Sequence, residues 1–124
     1  MLKPDEAPEV VYRRRLNEDK AVYFQSCGQC DFVIFPPRVL CPNCGGSELR
    51  WEQSAGSGSV YSTSTVYRRD EDPYDVSIVD VDEGFRMMSS IRGIAPNEVV
   101  IGMRVQLETV SDERGVVPYF RGMK

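Results

Sequence analysis

The spacing of hydrophobic and polar positions changes twice along this chain. Between Asp5 and Lys20 the apolar residues Val11, Tyr12 and Leu16 recur at helical intervals and leave one narrow stripe. Acidic residues come early and basic residues later, the order a helix dipole favours. Pro8 is tolerated only in a first turn, so the regular part of this predicted helix begins near Pro8. A stripe this thin must lie against the rest of the chain or against a partner. From Ala21 to Arg50 short strand-like pieces replace the helical period: Val22-Tyr23-Phe24, then Phe32-Val33-Ile34-Phe35. Small residues follow at Ser54-Ala55-Gly56-Ser57-Gly58, the composition of a flexible joint.

Beyond that joint the period is two. Val60, Ser62, Ser64 and Val66 are expected on one face of a strand, and Tyr61, Thr63, Thr65 and Tyr67 on the other. A run from Val76 to Val81, a turn at Asp82-Glu83-Gly84 and a return from Phe85 to Ile91 predict a hairpin. Val99 to Met103 carries a turn at Gly102. Arg104 to Val110 alternates again, and Asp112 to Gly115 turns into a last strand, Val116 to Arg121. About five strands in roughly 70 residues, with no helix among them, predict a small antiparallel barrel. The chain is therefore read as mainly β in three parts: an N-terminal helical segment over 1–20, a cysteine-bearing segment over 21–53 and a barrel over 54–124.

Composition narrows what such a chain can do. It has 124 residues, an apolar fraction of 41% and a charged fraction of 27%, which is the make-up of a folded protein. No apolar run approaches the length of a membrane span, and the charged N-terminus with its two prolines does not read as a secretory leader. The cytoplasm is the expected compartment, where paired cysteines act as metal ligands more often than as disulfides. A net charge of −4 argues against sequence-independent nucleic-acid binding, with Arg13-Arg14-Arg15 as a local exception. Histidine is absent, so no triad or metal site built on imidazole can form within this sequence.

The chemistry the chain does carry is sulfur. Cys27 and Cys30 form one C-x-x-C pair; ten residues later Cys41 and Cys44 form another. Two such knuckles bring four thiolates to one tetrahedron, and Gly28, Gly45 and Gly46 suit the tight turns this needs. Four thiolates close the coordination shell, which makes one structural Zn²⁺ per chain the leading reading. Iron in a rubredoxin-like electron carrier uses the same ligands, and disulfide or thiol redox chemistry is the remaining alternative. Phe32, Ile34 and Phe35 exceed what so small a module buries, and are expected either to pack on the barrel or to form a patch for a partner. Tyr23, Phe24 and the helix stripe share that ambiguity. Met87, Met88 and Met103 read as core filler. Asp80, Asp82 and Glu83 read as turn acids, not as a catalytic pair.

Taken in order, these motifs resemble a known family. Gln25 to Cys30, Phe35-Pro36-Pro37-Arg38, Cys41 to Gly45, the strand Gly58 to Val66, Asp82-Glu83-Gly84, Ile101-Gly102-Met103 and Pro118 to Arg121 together resemble the rubredoxin-like zinc-ribbon plus OB-fold proteins, a family long carried as a domain of unknown function. The resemblance covers nearly the whole chain. It implies a five-stranded OB-fold barrel behind the ribbon. It also implies a non-catalytic accessory subunit that assembles with a thiolase-like condensing enzyme and helps to hold or channel a CoA thioester. A CoA binder should offer Arg or Lys beside an apolar or aromatic groove, and the candidates are Arg38, Tyr67, Arg68 and Arg69. Arg68 and Arg69 have a plainer reading as solvated residues facing Asp70, Glu71 and Asp72. The competing function is single-stranded nucleic-acid binding, with Tyr61, Tyr67 and Tyr74 as stacking platforms.

Overall fold

The computed structural model describes residues 7–122. Its first element, α1 (Pro8–Asp19), starts with proline in the first turn, as the sequence requires, and ends where Lys20 enters the left-handed region at φ 55°. Asp5 and Glu6, at the head of the predicted helix, lie outside the described residues. The dipole argument fails at the other end: the last turn holds no basic residue, and Glu18 and Asp19 close the helix. What holds α1 is burial of Pro8, Val11 and Leu16, since Ala7 supplies no side-chain cap.

Three short strands follow, β1 (Tyr23–Cys27), β2 (Val33–Ile34) and β3 (Leu49–Gln53), in an antiparallel sheet ordered β2-β1-β3. A second sheet is built from β4 (Ser57–Arg68), β5 (Glu71–Val81), β6 (Phe85–Ser89), β7 (Ile91–Arg92), β8 (Arg104–Asp112) and β9 (Gly115–Gly122). Its order is β6-β5-β4-β8-β9-β7. Only Ser90 separates β6 from β7, so one run of chain supplies both edges of the sheet and brings them together. The predicted purely antiparallel barrel needs one amendment. β7 pairs with β9 in parallel, because the strand that leaves one edge returns to the other without reversing. No helix of the described residues is long and apolar enough to cross a membrane.

Strict alternation along β4 also fails. Val60 pairs with Val79 but Ser62 pairs with Ile78, so Tyr61 is an extra residue and the strand bulges there. The bulge inverts the faces beyond it. Thr63 therefore turns toward buried Ser77, with their hydroxyls 2.9 Å apart, and does not continue the Tyr61 face. The hairpin at Asp82–Gly84 forms as expected, with Gly84 at φ 105°.

One core serves helix, ribbon and barrel. Leu16, Val22 and Phe24 are buried with Val60, Val79, Val81, Phe85, Met87, Ile91, Val99, Val105 and Phe120. Four rings stitch the parts together. Phe85 of the barrel lies 4.8 Å from Phe35 and 5.0 Å from Phe24, while Tyr12 of the helix meets Phe35 edge-on at 5.7 Å. The helix stripe, Phe24 and Phe35 thus pack within the chain. Phe32 stays 43% exposed, and Met88, taken as core filler, is 70% exposed because its place on β6 faces away from Met87.

The joint at 54–58 is not loose. Buried Ser54 donates its amide to the Val22 carbonyl and its hydroxyl to Glu83 Oε1, and the Ala55 amide reaches Glu83 Oε2 at 2.8 Å. Gly56 sits at φ 82° with β8 so close that a Cβ there would lie 2.7 Å from that of Leu107. Small residues are needed here for close approach, not for freedom.

Candidate metal centre and adjoining groove

The two knuckles arise from different parts of the ribbon. Cys27 ends β1 and Cys30 lies in the turn after it, where the Asp31 amide bonds back to the Cys27 carbonyl and the Cys27 amide to the Phe32 carbonyl. Cys41 and Cys44 occupy a matching turn, closed by Gly45 N–H on the Cys41 carbonyl and Cys41 N–H on the Gly46 carbonyl. In each knuckle a backbone amide points at sulfur. Gln29 donates to Cys27 Sγ and Asn43 to Cys41 Sγ, both at 3.4 Å.

The four sulfurs lie within 4.8 Å of one another, with Cys27–Cys44 at 3.6 Å and Cys30–Cys41 at 3.7 Å. A tetrahedron with metal–sulfur bonds of about 2.3 Å has edges of roughly 3.8 Å, so the cluster fits a structural zinc ion. Buried Ile34 and half-buried Leu49 pack beside Cys27 and Cys41, a core too small to hold the ribbon by itself. The sulfurs also compete for protons. The Asn43 side-chain amide and the Phe32 backbone hold Cys30 down to about 6. At Cys44 the Gly46 amide pulls downward, but the neighbouring Cys27, Cys30 and Cys41 sulfurs and desolvation push it up to about 12. A dication removes that competition by favouring all four thiolates together.

Beside the metal centre the ribbon meets the barrel in a groove of about 390 Å³. Phe32 to Pro36, Arg38 and Pro42 form the ribbon side, and Asp80, Gly84, Phe85 and Arg86 the barrel side. Of the four residues expected to contact CoA, only Arg38 lines this groove. Tyr67, Arg68 and Arg69 sit at the far end of the β4–β5 hairpin, with Tyr67 71% exposed. There Arg68 approaches Glu71 at 3.9 Å and donates to the Tyr74 hydroxyl at 3.3 Å, in keeping with the plainer reading of that arginine. Asp82 is taken by a bidentate contact with Arg104 at 2.7 and 2.9 Å, and Glu83 by the joint.

Two residues matter to this region in ways the sequence did not show, although Gln25 heads the Gln25–Cys30 motif. Gln25 is fully buried on β1; its Oε1 accepts the Arg38 amide at 2.6 Å and its Nε2 donates to the Arg38 carbonyl at 3.0 Å. A glutamine directly after Val22-Tyr23-Phe24 was the available sign, since a polar residue in an apolar strand needs a partner. Arg86 was unremarkable in sequence; its guanidinium lies 3.7 Å from the Tyr61 ring centroid, at the groove wall.

Comparison with known proteins agrees with this architecture. Residues 21–50 match the family model described as the ChsH2 rubredoxin-like zinc ribbon domain, and residues 51–110 that of the ChsH2 C-terminal OB-fold domain. A "DUF35 domain-containing scaffold protein" of Methanocaldococcus jannaschii is 32% identical over 99 residues, covering 75% of this chain and 70% of that protein. A "Probable enoyl-CoA hydratase alpha subunit" of Thermomonospora curvata is 33% identical over 124 residues, but this chain, matched over 88% of its length, spans only 39% of that relative. Among solved structures a chain of the "Ltp2-ChsH2(DUF35) aldolase" superposes with a TM-score of 0.81 and 28% identity, covering 98% of both chains. With ribbon and barrel each matched in order, the chain belongs to the ChsH2-type family of rubredoxin-like zinc-ribbon plus OB-fold (DUF35) proteins.

Proposed function

We propose that this chain is a non-catalytic accessory subunit of a thiolase-like acyl-CoA condensing enzyme in the cytoplasm, carrying one structural zinc on Cys27, Cys30, Cys41 and Cys44. The observation that carries the reading is the fit, over 98% of both chains, to a chain of the Ltp2-ChsH2(DUF35) aldolase. Relatives named as scaffold proteins, and one named as a hydratase subunit, support a role in assembly with an acyl-CoA enzyme. The chemistry of the chain is consistent with that role. Its four cysteines converge on one site, and a condensing enzyme needs a free nucleophilic thiol with a base beside it. Arg38, Tyr67, Arg68 and Arg69 are the residues we propose to meet the CoA thioester or the partner's surface around it.

Affinity capture of the tagged chain from its native host, followed by mass spectrometry, tests this. A thiolase-like enzyme in stoichiometric amount supports the reading. Capture of nucleic acid supports the alternative, to which the exposed rings of Tyr61, Tyr67 and Tyr74 lend some weight and the net charge of −4 does not. Capture of neither removes the proposed role.

A further inference from the structure

We propose that the ribbon–barrel groove is a binding site for an anionic group carried on an apolar body, with Arg38 and Arg86 as its recognising cations and Gln25 as the residue that positions Arg38. Three observations lead there. The lining pairs an apolar surface, made by Phe32, Phe35, Pro42 and Phe85, with two guanidinium groups and one carboxylate, Asp80, so cationic groups outnumber anionic ones. Apolar rings beside a few convergent polar groups, in a volume of ordinary size, suit a small molecule that is itself part apolar and part charged. The cations are available. Arg38 is exposed and makes no side-chain ion pair among the described residues, while Arg86 lies over the Tyr61 ring at 3.7 Å, which steadies it, and reaches Asp80 only at 4.0 Å, which leaves its charge weakly paired.

The third observation is the cost of keeping Arg38 in place. A fully buried glutamine spends both ends of its amide on the Arg38 backbone, and its neighbour two residues on is the metal ligand Cys27. The segment from Phe35 to Cys41 is fixed at three points: Phe35 stacks on Phe85, Arg38 is clamped by Gln25, and Cys41 lies in the metal cluster. Val39 and Leu40, between the last two points, are exposed and add no packing. The backbone that carries Arg38 is thus held by Gln25 on one side and by the metal knuckle on the other. Gln25 acts through Arg38 and does not itself line the groove.

The test uses two fluorescent probes of similar shape on the zinc-loaded full chain: anilinonaphthalene sulfonate, which is an anion, and N-phenyl-1-naphthylamine, which is neutral. The sulfonate should bind the wild-type chain more tightly. Arg38→Ala and Arg86→Ala should each weaken it about 5- to 10-fold, as expected for loss of a charge-assisted contact, with little change for the neutral probe. Arg114→Ala, at the distant β8–β9 turn, serves as the control for charge alone. Gln25→Leu keeps the volume and removes both hydrogen bonds. With zinc content unchanged, it should lower sulfonate affinity to the level of Arg38→Ala and leave the neutral probe as it was. Equal sulfonate affinity in wild type and both arginine variants overturns the site. Equal loss of both probes in Gln25→Leu overturns the positioning role, since damage to the fold would affect both. No partner enzyme enters this experiment, so its failure leaves the accessory-subunit reading to stand or fall on the capture experiment.

Discussion

A handful of buried polar side chains determine where the strands of this small protein go. Asp75, 3% exposed, accepts hydrogen bonds from Ser77 at 2.5 Å, from Ser90 at 2.8 Å and from the Ile91 amide at 3.0 Å. Those last two donors mark the break between β6 and β7, so one carboxylate pins the bend that carries the chain from one sheet edge to the other. Asp75→Ala orphans the buried Ile91 amide and should cost about 3 kcal/mol in urea unfolding of the zinc-loaded protein. A loss under about 1 kcal/mol would mean that water replaces the carboxylate. Asp82 works in the opposite setting, in the open. Hydrogen bonding to Arg104 holds its carboxyl below the ordinary carboxylate range. Its contribution is present above that ordinary range and disappears as pH falls through the depressed value. The destabilisation by Asp82→Asn at neutral pH, followed by thermal melts at low salt, should therefore shrink toward zero on strong acidification. A difference that grows with acid would contradict the assigned pair. Sequence showed which residues were acidic but not which were buried. Asp82 opens the Asp82-Glu83-Gly84 turn and is marked as exposed by it, but nothing beside Asp75 marks it as buried, and only the tertiary fold shows its role.

Among the elements, those whose stability comes from short-range pattern were legible and those set by close approach were not. The helix start at Pro8, both knuckles and the 82–84 hairpin are local events with local residues to mark them. The bulge at Tyr61 and the parallel β7–β9 pair depend on strands distant in sequence, and no residue announces them. The 54–58 joint misled because small residues serve flexibility and tight packing equally well; Glu83, 28 residues away from Ala55, decides between them. The ribbon and barrel are expected to behave as one cooperative unit through the Tyr12, Phe24, Phe35 and Phe85 rings. Phe85→Ala removes the ring shared by two of these contacts and should cost about 3–5 kcal/mol. Ribbon and barrel amides should lose hydrogen-exchange protection together. Protection lost in the barrel alone would show that the aromatic joint does not couple the two. Metal removal acts on the ribbon first. With only Ile34 and Leu49 as apolar packing beside the sulfurs, stripping zinc with a chelator should release the two knuckles, seen as loss of amide protection between Cys27 and Leu49, and re-addition should restore it. Knuckles that keep their protection without metal would contradict the assignment of the cluster as what holds them.

For the whole molecule, the family was legible because cysteine spacing and turn motifs survive in order along the chain, whereas the groove was not. Its two walls come from segments about 45 residues apart, Phe32–Pro42 and Asp80–Arg86, and only folding brings Arg38 and Arg86 to one cleft. Tyr67, Arg68 and Arg69 end on a different part of the surface from Arg38, so the proposed CoA contacts fall into two separate groups. Ribbon and barrel share one core beside the four converging cysteines. The most direct test of the accessory-subunit claim is acyl-CoA turnover by the captured condensing enzyme, measured before this chain is stripped from it, after stripping, and after re-addition of the zinc-loaded chain. The expected result is that turnover falls at least about tenfold on stripping and returns on re-addition, while the chain alone turns over nothing. Turnover unchanged by stripping would contradict the account, leaving a bound protein with no part in the enzyme's work.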